Sequence, residues 1–144
     1  MRQAATFIQH LRGGAAVLLV LCFLVPPAQA QRLLEPSEYL KDPKFNQLYV
    51  KALGAKAKTP WLAKMDGPAP TTRKVRVIGN EFVLAAFCKN QDCAENSAVL
   101  LYAADRGQLV GTIYEKGKTT LIGDPPPGLA IELNKLWKKE WRQQ

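Results

Sequence analysis

Residues 88 to 93 read Cys-Lys-Asn-Gln-Asp-Cys, four polar residues enclosed by two cysteines. An apolar run, Phe82 to Phe87, precedes them, and another, Ser97 to Tyr102, follows. Apolar runs of this length bounded by turn residues predict strands. The hexapeptide is therefore a loop between two strands, and a Cys88–Cys93 disulfide would staple its base. Closing so small a ring recovers only roughly 2 kcal/mol by the chain-entropy estimate. Two readings of the ring stand side by side. One is a structural disulfide beneath a solvated turn. The other is a presentation device that orders Lys89, Asn90, Gln91 and Asp92 before contact and lowers the entropy lost on binding.

The N-terminal segment supplies the compartment. Arg2, His10 and Arg12 form a basic start, Ala15 to Val25 is apolar, and Ala28-Gln29-Ala30 is a small-residue cleavage pattern. Residues 1–30 read as a secretory signal peptide and residues 31–144 as the exported domain. The apolar run is shorter than the roughly 20 residues that a membrane span needs. Cys22 follows Leu21, where a lipoprotein signal would carry a small residue, so no stable membrane anchor is expected. Cleavage leaves about 114 residues, enough for one compact domain. It removes two of the twenty basic residues and none of the twelve acidic ones, so the net charge falls from +8 to +6. It also removes the only histidine, and Cys88 and Cys93 become the only cysteines. An even pair in an exported chain reads as a disulfide in an oxidising compartment, here a bacterial periplasm.

Those absences exclude function classes. Serine and cysteine hydrolases of the usual kind need a histidine base. Zinc sites draw mainly on cysteine and histidine. Redox-active pairs usually enclose two residues, not four. Carboxylate-only catalysis stays open, without a paired acidic motif to support it. The expectation is a protein that is not an enzyme, with no catalytic residue, no metal and no cofactor.

Further along the chain, Gln31 to Pro36 reads as a frayed lead-in and Ser37 to Leu40 as one helical turn. Asp42 is a helix N-cap with Pro43 at the first helical position. Phe45, Leu48, Tyr49, Ala52 and Leu53 form one apolar face, and Gly54 stops the helix. Ala55 to Thr59 is a linker, and Pro60 to Met65 a short helix capped by Thr59, with Trp61 a packing anchor. Asp66 to Pro70 breaks helix. From Thr71 an edge-like strand carries Arg73, Lys74 and Arg76, whose charges protect an edge or, less simply, bind an anion. Gly79-Asn80 is the turn before the Phe82 strand. Asp105-Arg106-Gly107 and Glu115 to Lys118 are turns around a Leu109–Tyr114 strand, and Thr119 to Ile122 is the last strand. After a stiff Gly123–Gly128 connector, Leu129, Leu133, Leu136, Trp137 and Trp141 line one stripe of a C-terminal helix. Lys135, Lys138, Lys139 and Arg142 suit its C-terminal dipole. The helix reads as packed on the sheet rather than lying on a membrane. The class is α+β, a single domain with an about five-stranded, mainly antiparallel sheet and helices against it. Nucleic acid is excluded as a partner by the export signal and the lack of interleaved aromatics.

A signal peptide, an α+β domain of this size and a Cys-Lys-x-x-Asp-Cys loop between central strands resemble the Ivy family, periplasmic inhibitors of vertebrate lysozyme. Gly79-Asn80, Phe82 to Phe87, Ala94-Glu95-Asn96 and Val99 to Tyr102 look like the family as well. The resemblance covers most of the mature chain. It implies a loop, Cys-Lys-Pro-His-Asp-Cys in the family, that enters the lysozyme cleft and hydrogen-bonds the catalytic carboxyls through its histidine. Cys88, Lys89, Asp92 and Cys93 match by position. Asn90 stands in place of the proline and Gln91 in place of the histidine. A glutamine amide, like a neutral imidazole, has a donor end and an acceptor end. Fixing the longer side chain costs about 1–2 kcal/mol more rotamer entropy, and losing proline loosens the loop. Together these weaken binding by about one to two orders of magnitude. Vertebrate-type lysozymes are strongly basic, and like net charges slow encounter.

The resemblance thus implies an inhibitory loop of Lys89, Asn90, Gln91 and Asp92, with Gln91 on the catalytic carboxyls and Lys89 and Asp92 on the cleft walls. The implied partner is a C-type lysozyme or the cell's own lytic transglycosylases. A periplasmic stability factor is the alternative of another class. The partner set also leaves room for a homodimer.

Overall fold

The computed structural model describes residues 33–142. The signal-peptide reading of residues 1–30 lies outside them. Five strands form one antiparallel sheet in sequence order: β1 (Arg73–Val77), β2 (Asn80–Cys88), β3 (Asn96–Ala103), β4 (Gln108–Glu115) and β5 (Lys118–Ile122). Among the described residues three α-helices accompany it, α1 (Pro43–Leu53), α2 (Pro60–Lys64) and α3 (Pro127–Trp141). The α+β expectation holds. Among the described residues no helix is long and apolar enough to cross a membrane.

The sheet separates two apolar layers. Alternate residues of a strand point to opposite faces. Ala85, Phe87, Ala98, Leu100, Tyr102 and Ile113 face α1 and α2, where Phe45, Tyr49, Leu53, Trp61 and Leu62 cover them. Leu84, Ala86, Val99, Leu101 and Val110 face α3, which lays down Leu129, Leu133 and Trp137. Every residue of β3 is buried. This double coverage is why β2 and β3 read as continuous apolar runs rather than alternating ones.

The helix boundaries follow their capping chemistry. The Asp42 carboxylate accepts from the backbone N–H groups of Lys44 (2.8 Å) and Phe45 (3.3 Å), and Pro43 occupies the first position. Gly54 ends α1 at φ 54°. Thr59 precedes α2, but its side chain makes no cap bond. The expected linker 55–59 is instead wound with Gly54 into a 3-10 turn, Gly54–Lys58, because Lys56 pairs with Glu115 and Ala57 packs on the core. The lead-in is tied rather than frayed at its end: the buried Thr72 hydroxyl donates to the Leu34 carbonyl (2.6 Å), and Pro36 is buried at the start of a 3-10 turn, Pro36–Lys41.

The first hairpin is shifted one residue from the sequence expectation. Ile78 and Gly79, at φ 48° and 75°, form the loop, and Asn80 opens β2 opposite Val77. The apolar face selects this register, which sets Val75 opposite Phe82 and keeps Val75 and Val77 in the α3-side layer. The same register sets Arg76 opposite Glu81 and brings Lys74 Nζ within 3.1 Å of the same carboxylate. Arg73 meanwhile pairs with Glu140 of α3. Arg73 and Lys74 of the edge strand β1 are thus engaged in ion pairs.

Candidate functional site

The ring hangs from the ends of the two central strands. Cys88, fully buried, is the last residue of β2 and is joined to Cys93 by a disulfide, with Cα atoms 4.9 Å apart. The last ladder pair is Cys88 with Ser97. Beyond it the Lys89 N–H donates to the Asn96 carbonyl (2.9 Å). The Asp92 N–H then donates back to the Lys89 carbonyl (3.0 Å), which closes a β-turn with Asn90 and Gln91 at its centre. Gln91 holds φ 60°. That left-handed conformation suits glycine, asparagine or histidine better than a glutamine. Both central side chains are exposed.

The two flanking polar residues behave differently. The Asp92 carboxylate accepts from Asn96 Nδ2 (2.7 Å) and from Lys89 Nζ (3.3 Å), while the Asp92 carbonyl accepts from the Asn96 N–H (2.9 Å). Asn96 is buried at the head of β3. Asp92 is therefore committed to holding the loop in shape. Lys89 remains half in solution, since an exposed pair of this kind is worth little. The four loop residues are brought together as the sequence predicts, with Asn90 and Gln91 outermost.

Three neighbouring segments support the ring. The chain at Gly67-Pro68 runs directly against it: a β-carbon on Gly67 would lie 3.0 Å from the Asn90 nitrogen, and the Cys88 N–H donates to the Pro68 carbonyl (3.1 Å). The β4–β5 turn supports the far limb, where the Lys116 N–H donates to the Glu95 carbonyl (2.7 Å). The end of α3 supplies Arg142, which donates to the Ala94 carbonyl (2.9 Å). Its guanidinium lies over the rings of Tyr114 (4.7 Å) and Trp137 (4.8 Å), a cation–π arrangement that fixes its direction. Trp137 in turn donates to Ser97 Oγ (3.0 Å) and Trp141 to the Ala98 carbonyl (3.3 Å). The tryptophans read as packing residues thus also register α3 against the strand that leaves the ring.

Sequence reasoning missed Gly67, Asn96 and Arg142 as supports. Only the Gly67-Pro68 pair, read as a helix breaker, carried any local signal. The other two act across 48 residues or through a strand terminus, where no sequence period reports them.

Other features of the fold lie apart from the ring. A cleft of about 350 Å³, lined by Leu48, Lys51, Leu109, Leu121 and Asp124 among others, contains none of the loop residues. Burial pushes the phenol of Tyr49 far up, and that hydroxyl donates to the Leu62 carbonyl (2.8 Å). The Tyr102 phenol is also raised, by burial first and then by Asp42 and Tyr39. Among the described residues no group of three or more His, Cys, Asp or Glu side chains is placed to hold a metal ion.

Comparison with known proteins bears on the same region. A family profile described as inhibitor of vertebrate lysozyme (Ivy) matches residues 45–144, which include the whole sheet and the ring. A curated protein of Pseudomonas aeruginosa named "Inhibitor of vertebrate lysozyme" is 26% identical over 86 residues. That match covers 59% of this chain and 56% of the relative, so the chain spans little more than half of that protein's length.

Proposed function

The chain belongs to the Ivy family of vertebrate-lysozyme inhibitors, and from that premise we propose that it is an exported inhibitor, not an enzyme, that plugs the cleft of a peptidoglycan-cleaving enzyme with its ring. The observation that carries this reading is the posture of Asn90 and Gln91. They sit exposed at the tip of a β-turn whose base is closed by a disulfide and whose sides rest on Gly67, Lys116 and Arg142. Such a tip enters a groove with little ordering cost. At the bottom of a glycosidase cleft it meets one protonated and one ionised carboxyl. The Gln91 amide donates to the ionised oxygen through its NH2 and accepts from the protonated one through its carbonyl. Lys89, released from its weak contact with Asp92, reaches the cleft wall. Asp92 contributes by holding the turn. The periplasm is the compartment this reading requires.

The test is titration of a vertebrate lysozyme with the mature protein, with Gln91→Ala and with the double change Asn90→Pro/Gln91→His. The reading expects inhibition by wild type, a loss of about tenfold or more in Gln91→Ala, and a gain in the double variant. Proline is favoured at the first central position of such a turn and histidine tolerates the left-handed second. Absence of inhibition by all three would sink the lysozyme-cleft reading. Inhibition of a lytic transglycosylase by the same wild-type protein would then move the target to the cell's own enzymes. Binding of unfolded clients, indifferent to residues 89 to 92, would indicate a stability factor.

A further inference from the structure

The surroundings of the ring carry charge beyond the Lys89 that the loop reading uses. Lys116 is fixed beside the ring by its backbone bond to Glu95, and Lys118 follows across the same turn. Arg142 reaches Ala94 from the end of α3, with Lys138 and Lys139 on the helix turn beneath it. Lys89 lies in the ring itself. All six side chains are exposed. The carboxylates at this end are mostly spent. Asp92 accepts from Asn96 and Lys89, Glu115 pairs with Lys56, and Glu140 pairs with Arg73. Glu95 and Asp66, the latter beside Gly67, are the exposed carboxylates near the ring that lack a side-chain partner among the described residues. The tip of the bump is neutral, and its collar is strongly cationic.

We infer that this collar selects a target whose cleft is rimmed by negative charge, an acidic peptidoglycan-cleaving enzyme rather than a strongly basic one. The inference rests on the cleft-plugging reading above and specifies its partner. A tip that enters a cleft brings the residues around its base onto the rim. Lys116, Lys118 and Arg142 must then face the partner's outer surface at short range. Against a basic rim, at least four cations approach like charges, which slows encounter and costs affinity. Against an acidic rim the same charges steer the tip inward. Rim charges act mainly on the association rate and are screened by salt, so the selection is kinetic and salt-dependent.

One enzyme in two charge states separates the possibilities. Hen lysozyme and the same lysozyme with its lysines succinylated would be immobilised and exposed to the disulfide-intact mature protein, with association rates measured from low to high salt. The inference expects the acidic form to associate about tenfold or more faster at low salt, with the advantage gone near 0.5 M salt, about where the Debye length shrinks below 5 Å. The variant Lys116→Gln/Lys118→Gln/Lys138→Gln, neutral changes at exposed positions, should lose most of that preference. Native lysozyme associating as fast as the acidic form, or a triple variant that keeps the preference, would overturn the inference and leave the cleft reading intact. Failure of both forms to bind would overturn the cleft reading and this inference together.

Discussion

A β-carbon placed on Gly67 would lie 1.8 Å from the carbonyl oxygen of Cys88. Backbone meets backbone there, so neither side can yield by a rotamer change. The segment before β1 is thereby pressed flat against the base of the ring, and only glycine permits the approach. Gly67→Ala should destabilise the fold by about 1–3 kcal/mol through overpacking. It should also tilt the ring and weaken inhibition more than the stability loss explains. Urea denaturation beside inhibitor titration reads both, and an unchanged inhibition constant would show that the Gly67 contact does not position the tip.

Asp92 and Asn96 form the second hold. Asp92→Ala leaves the buried Asn96 amide without its 2.7 Å acceptor, which should cost about 1–3 kcal/mol. Asp92→Asn keeps an oxygen in place and should cost less than half as much. Hydrogen exchange at the Asn96 amide, bonded to the Asp92 carbonyl, should accelerate in the alanine variant and barely change in the asparagine one.

Gln91 separates stability from function. Its φ of 60° costs an ordinary side chain roughly 1–2 kcal/mol that glycine does not bear, although glycine also gains freedom in the unfolded chain. Gln91→Gly should therefore leave the melting midpoint unchanged or slightly raised while removing the amide from the tip. Inhibition that survives in this variant would dismiss the amide as the contact with the carboxyls.

Much of the fold could be read before any coordinates. The Phe82–Phe87 and Ser97–Tyr102 runs declared strands because burial on both faces left them apolar throughout. Asp42-Pro43 and Gly54 delimited α1 because capping is local chemistry. The ring was legible because its two cysteines are the only ones in the described chain. Ile78-Gly79 was not, since register there is chosen by Val75 and Val77 joining Phe82 in the layer under α3. The supports of the ring were equally silent: nothing in the neighbourhood of Arg142 announces Ala94, and nothing around Gly67 announces Cys88. Such contacts exist only once distant segments have come together.

The buried phenols set an alkaline limit. Tyr49 titrates well above its ordinary value of 10.0 because burial disfavours the phenolate, and Tyr102 is shifted in the same direction. A phenol whose folded pKa is raised stays protonated in the native state after the unfolded chain has begun to ionise. Stability should be independent of these groups below about pH 9 and fall above about pH 10, by up to about 1.4 kcal/mol per pH unit for each phenol. Tyr49→Phe should flatten that decline relative to wild type in urea denaturation between pH 8 and 11, and an equal slope would argue against Tyr49 as its source.

The two strands that carry the ring are gripped from above and below, Phe87 and Ala98 by one layer, Ala86 and Val99 by the other. A hairpin held so has no hinge. The strands below the ring open only when the packed layers on both faces let go, so the base of the bump keeps one pose while the core is intact. The residues at the summit, Asn90 and Gln91, can then be recut for another lock without reshaping the key blank beneath them.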